Sequence, residues 1–240
     1  MTKTAASLPD DLRARLAADF GPIRALPSPW ARALWILPLA MVALVAAPLA
    51  FNVRPDASSL GWLGLWGLSI AQSLVGLLVV GAALRESIPG RDWGRAAIAM
   101  WLAVPIAVVV TVTLLSWDAS PVLLHAQWWL VAGLCFAGSA VTALPVVALA
   151  GILASRAYPT RPLAAGSLLG LGAGLMADAG WRIFCHFSEP SHVLSAHLAA
   201  VVMSAALGAL VAVRLSGLRG EKHPLHEPVR AGTNHRDRSQ

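Results

Sequence analysis

Residues 96–116 read AAIAMWLAVPIAVVVTVTLLS, a run of 21 positions without one ionisable side chain. A hydrocarbon core of about 30 Å needs roughly 20 apolar residues at about 1.5 Å rise per residue, so this stretch is long enough to cross a bilayer as one helix. Lipid offers no partner for backbone N–H and C=O groups, and a helix satisfies them within the segment. Five more runs of this kind surround it, at approximately 33–51, 60–84, 128–154, 163–187 and 191–213. Charged and proline-bearing stretches separate the six: Arg54-Pro55-Asp56, then Arg85 to Arg91, then Asp118 with Pro121 and His125, then Arg156 to Pro162, then Ser188-Glu189-Pro190. The expected fold is all-α: a polytopic six-helix transmembrane bundle spanning 33–215, with a short cytoplasmic N-terminal segment (1–32) and a disordered cytoplasmic tail (216–240).

Composition agrees with this reading. Of 240 residues, 57% are hydrophobic and only 12% charged, against about 25% charged in a soluble domain. That balance excludes a soluble enzyme, a disordered regulator and a disulfide scaffold. In such a chain the position of each basic residue says more than the net charge of +6. All but two of the 18 Lys and Arg residues fall in the N-terminal segment, the second and fourth connections, or the C-terminal tail; the exceptions are Arg54 and Arg182. The positive-inside rule then places both termini in the cytoplasm, and an even number of spans agrees, since it puts them on the same side. The first span is expected to stay uncleaved, because the 32 residues before it exceed the short basic leader of a signal peptide. Trp30, Trp93, Trp117, Trp128, Trp129 and Trp181 fall near span ends and are expected to form interfacial belts.

The N-terminal segment carries one amphipathic element. Asp10 is placed to cap a helix start, and Leu12, Leu16 and Phe20 follow at i, i+4 and i+8, sharing one face. Gly21-Pro22 ends the pattern. A helix of about 11 residues is marginal alone in water, so it needs a surface, either lipid headgroups or the groove of a partner. The tail beyond Ser216, with His223, His226 and His235, has no apolar period.

Within the spans, Asp178 and Arg182 are i, i+4 on the fifth helix and are expected to neutralise one another as a structural ion pair. Gly166, Gly170 and Gly174 repeat every four residues on that helix, a spacing that lets helices approach closely. No nucleophile elbow, HExxH, P-loop or intramembrane aspartate pair is present, and no enzyme activity is expected.

The chain has two cysteines, Cys135 in span four and Cys185 near the end of span five. His125, His186, His192, His197 and Glu189 gather on the same, outer side. Thiolate and imidazole ligands suit zinc, copper or cadmium; two thiols on an oxidising side also suit a disulfide; and buried cysteines equally serve as small apolar packing residues. Straight-helix geometry opposes a tight cluster. Cys135 falls roughly 10 Å below the surface while Cys185 is shallow, and a disulfide needs Cα atoms within about 7 Å. His192 and His197, five apart, differ by about 140° around an α-helix, and His186 turns about 100° from Cys185.

The sequence as a whole resembles the NrsF family, negative regulators of sigma-F. The resemblance rests on the order of Asn52-Val53-Arg54-Pro55-Asp56 after the first span, Glu86-Ser87-Ile88-Pro89-Gly90-Arg91 after the second, Cys135 midway along the fourth, Pro159-Thr160-Arg161-Pro162 before the glycine-rich fifth, and Cys185 at its outer end. It covers about residues 10–215. It implies a six-span anti-sigma factor of the bacterial inner membrane that holds an extracytoplasmic-function sigma factor inactive, touches membrane lipid and makes no direct contact with nucleic acid. It also implies that the matching cysteines, Cys135 and Cys185, respond to heavy-metal or oxidative stress, with His186, His192 and His197 beside them. No cofactor is assigned, and a divalent metal is a candidate signal. Leu12, Leu16 and Phe20 are the expected partner contact. A small-solute or metal transporter or channel is the alternative, and it would require a continuous polar path, whereas Ser, Thr and Gln are scattered singly along the inner halves of the spans.

Overall fold

The computed structural model describes residues 9–11, 13–14, 25–119 and 128–221. Leu12, Leu16 and Phe20 of the expected partner stripe, and His125, lie outside the described residues, as do the three tail histidines. At the N-terminal end, Arg13 N–H donates to Pro9 O at 3.0 Å and Asp10 is already helical, so Pro9, one residue before the expected cap, supplies the first carbonyl.

Six helices are long and apolar enough to cross a membrane: α1 (Pro29–Phe51), α2 (Ala57–Glu86), α3 (Arg95–Ala119), α4 (Trp128–Ser155), α5 (Pro162–Phe184) and α6 (Pro190–Leu218). No strand occurs among the described residues. Helical structure continues from α6 to Glu221, so the expected start of the tail at 216 lies inside the last helix. The expected fifth span reached 187, but α5 ends at Phe184, where Cys185 turns extended (φ −76°, ψ 115°).

The bundle is apolar outside and finely packed inside. Leu49, Trp62 and Leu63 face outward and exposed, while Ala165, Ala173, Ala177 and Ala200 are buried. Helices in lipid gain little from hiding leucines from one another, so close packing through small residues holds them together. α5 is the centre: 83% of the positions in its most apolar 18-residue stretch are buried, against 22–56% in the other five spans. Its glycines explain why. A methyl group on Gly166 would meet Gly208 O at 2.5 Å, and one on Gly170 or Gly180 would collide with the backbone of Ser204 or Ala43. These are backbone contacts with α6 and α1, as the small-residue spacing predicts for α6.

The basic end of the bundle is tied by charge. Arg32 of α1 is buried and donates from Nη2 to Leu84 O of α2 (3.2 Å) and from Nη1 to Leu153 O of α4 (3.0 Å). Both acceptors lie near helix C-termini, where carbonyls lack intrahelical partners. Arg161 pairs with the buried carboxylate of Glu86, and Arg85 stacks on Trp93 with its guanidinium carbon 3.7 Å from the ring centroid. The expected tryptophan belt needs one correction. Trp30, Trp128 and Trp129 are exposed, but Trp181 is buried, donates to Thr142 Oγ1 at 3.0 Å, and presses its ring on Gly138. Proximity to a span end did not reveal that Trp181 sits on the most enclosed helix.

Candidate functional site

At the end opposite Arg32, four side chains meet. Cys135, Cys185, His192 and His197 are all buried, and one ligand atom from each lies within 4.8 Å of the others. Cys135 comes from α4, two turns in from Trp128. The other three come from the α5–α6 connection and the first turns of α6.

Two local departures from α-helix bring them together. The first is the early end of α5. Cys185 N–H still donates to Trp181 O (2.8 Å), but the residues from Cys185 to Glu189 leave the helix and turn across the end of the bundle. Arg54 holds this crossing. Its backbone N–H donates to Ile183 O (3.0 Å), and Nη2 donates to His186 O and Ser188 Oγ, both at 3.0 Å. Asp56 aligns the guanidinium with two contacts of 2.6 Å, the fork-to-fork geometry that fixes an Arg–carboxylate pair. Cys185 is thereby turned toward Cys135, amid Ala132, Phe187 and Ala196.

The second departure is a π-helical turn from Val193 to Leu198. In a π-helix the repeat is i→i+5, so residues five apart return to one face. The 140° separation expected for His192 and His197 assumed α-helical pitch, and the π turn removes it: their rings lie 5.3 Å apart, centroid to centroid. His192 Nε2 is 3.2 Å from Cys185 Sγ. His186 stands outside the group. Its ring packs on Phe187 at 4.1 Å, and its role toward the cluster is through its backbone carbonyl.

Behind the cluster lies a polar chain anchored on Asp178. His197 Nδ1 donates to Asp178 Oδ1 (2.6 Å), and Asp178 Oδ2 accepts from Arg182 Nε (3.0 Å) and Gln72 Nε2 (2.7 Å). Arg182 goes on to Thr113 Oγ1 at 2.8 Å. The expected i, i+4 ion pair is present, but it is part of a larger arrangement joining α2, α3, α5 and α6. Gln72 and Thr113 were invisible to sequence reasoning because a single polar residue in an apolar run carries no spacing signal. Asp178 to His197 was equally hidden, since 19 residues and a helical hairpin separate them.

Chemically, two thiols and two imidazoles converge in buried surroundings. Such a set can bind a soft cation, and thiols this near can also be oxidised together. The carboxylate on His197 Nδ1 leaves Nε2 free for a ligand and fixes the tautomer, the outer-shell arrangement common at metal-bound histidines.

Fold and site together define a polytopic helical membrane protein with a buried Cys/His group at one end. The family model of NrsF, described as negative regulator of sigma F, matches residues 16–216. The chain belongs to this family, and negative regulation of a sigma factor is the function that membership carries. No curated protein and no solved structure matches the chain.

Proposed function

We propose that this protein is an inner-membrane anti-sigma factor, with both termini cytoplasmic, that sequesters an extracytoplasmic-function sigma factor and releases it when a soft metal or thiol oxidant reaches the Cys135–Cys185–His192–His197 group. The observation that carries this reading is the convergence of those four side chains at the end of the bundle opposite the basic residues. The bias of Lys and Arg toward the other end supports a cytoplasmic assignment for that end, which puts the Cys/His group on the outer side. The segment bearing Leu12, Leu16 and Phe20 is the proposed sigma-factor contact. It leads into α1 at Pro29, three residues before Arg32 fastens α1 to α2 and α4, so a shift among those helices is passed directly to the arm. Release requires two bundle arrangements with different affinity for the partner.

The transporter reading draws less support. Gln72, Thr113, Asp178, Arg182 and His197 bond to one another, which ties up the polar groups that a solute path would need.

A reporter driven by the sigma factor's promoter tests the proposal in cells. Deletion of this protein should raise basal expression, and the wild type should repress it until cadmium or a thiol oxidant is added. Cys135→Ser, Cys185→Ser and the double variant should all lose induction to the same extent, because groups acting as one unit are non-additive. Normal induction in either single variant would show the thiols to be packing residues and defeat the proposal.

A further inference from the structure

The structure points to a more specific chemistry: we infer that Cys135, Cys185, His192 and His197 are the four ligands of a divalent, tetrahedral cation of the zinc or cadmium class, with Asp178 as the carboxylate that orients His197. The inference deepens the reading above, in that occupancy of this site is then the signal.

Three observations carry it. The first is ligand geometry. Metal–sulfur bonds of about 2.3 Å and metal–nitrogen bonds of about 2.0–2.1 Å place tetrahedral ligand atoms roughly 3.3–3.8 Å apart. The four atoms here lie within 4.8 Å of one another, and Cys185 Sγ to His192 Nε2 is already 3.2 Å. The group is thus close to the spacing of a tetrahedral shell.

The second is the outer shell. Asp178 Oδ1 on His197 Nδ1 (2.6 Å) presents Nε2 as the ligand atom, and Asp178 is itself held by Gln72 and Arg182. A packing histidine does not need a carboxylate fixed both by its own helix and by a further one.

The third is charge. The site is buried in a membrane-spanning bundle, where uncompensated charge is costly. Asp178 and Arg182 cancel. Two thiolates and two neutral imidazoles then carry −2, so a divalent ion gives a neutral centre. A monovalent ion leaves it negative and a trivalent ion leaves it positive. Binding releases the two thiol protons to solvent, and no oxidant or reductant takes part. Sulfur-and-nitrogen tetrahedral sets favour zinc-like ions over the oxygen-seeking divalent cations.

The test is cobalt titration of the full-length protein in detergent, stripped with chelator and kept reduced. The wild type should take up one cobalt per chain, with the intense visible bands of tetrahedral cobalt and a thiolate charge-transfer band. Zinc should displace it, and the metal should protect both thiols from alkylation. Either Cys→Ser variant should lose the charge-transfer band, His192→Ala and His197→Ala should lose tetrahedral binding, and His186→Ala should bind like the wild type. Asp178→Asn should keep the tetrahedral spectrum with affinity about 10–100-fold weaker; gel filtration in detergent checks that it remains folded. Failure of the wild type to bind cobalt, zinc or cadmium stoichiometrically overturns the inference without reference to any variant. So does tight binding that is indifferent to His197→Ala and Asp178→Asn, or conversion of the cysteines to a disulfide by an oxidant with no metal affinity in the reduced protein. Stoichiometric binding without induction of the reporter would uphold the site and defeat the signalling proposal instead.

Discussion

Asp178 is the residue on which the Cys/His end of the bundle depends. It is fully buried and serves Arg182, Gln72 and His197 at once. Removing one member of a buried ion pair leaves the other charge uncompensated, at a cost of about 3–5 kcal/mol. Arg182→Met should therefore lower the thermal stability of the protein in detergent by an amount in that range, read from intrinsic tryptophan fluorescence. Adding Asp178→Asn to it should recover part of the loss, since the double change leaves no net charge. If Arg182→Met melts like the wild type, then Gln72 and His197 compensate Asp178 by themselves and the pair is not structural. The ion pair was legible in the sequence because i, i+4 spacing implies a shared face. The other two partners of Asp178 were not, because Gln72 and His197 reach it from other helices.

At the scale of elements, the informative features are the places where helices stop being α-helices. The six spans could be read with errors of a few residues because hydropathy sums over about 20 positions and tolerates local irregularity. The cluster could not, because it depends on two irregularities of a few residues each. A π turn from Val193 to Leu198 and an early helix end at Cys185 undo the separations that ideal geometry assigns to His192, His197 and Cys185. The glycine repeat on α5 was readable for the opposite reason, since packing through regular helix obeys regular spacing. The π turn makes a direct prediction. Inserting one alanine after Ala196 puts His192 and His197 six positions apart, which separates them by about 120° at α-helical pitch. The variant should insert in the membrane at normal levels, as judged by fractionation, yet lose thiol protection by zinc. Retained protection would show that the five-residue spacing across the π turn is not what pairs the histidines. Arg54 gives a second handle on the same element, because it ties the α1–α2 connection to Ile183, His186 and Ser188 through the contacts described above.

For the whole molecule, the account joins two ends of one bundle. Arg32, Glu86 and Arg161 mark one end, and Arg54, Asp56 and the Cys/His group mark the other. Alkaline-phosphatase fusions should be inactive when joined after residue 90, 158 or 220 and active when joined after residue 55 or 188. An active fusion after residue 220 would contradict both the orientation and the outer location of the site. α5 lies between the two ends and packs on α1, α2, α4 and α6, the route by which the proposed signal at Cys185 would reach the start of α1 at Pro29. The central claim is that this arm holds a sigma factor under control of the distant cysteines. Co-purification from detergent-solubilised membranes tests it most directly, using tagged full-length protein and the sigma factor with and without cadmium. The wild type should retain the sigma factor in reducing, metal-free buffer and lose it on adding cadmium. Leu16→Asp with Phe20→Asp should fail to retain it in either condition, and Cys135→Ser with Cys185→Ser should give the same retention with cadmium as without. Retention by the Leu16/Phe20 variant, or cadmium-driven release from the double-cysteine variant, would contradict the account.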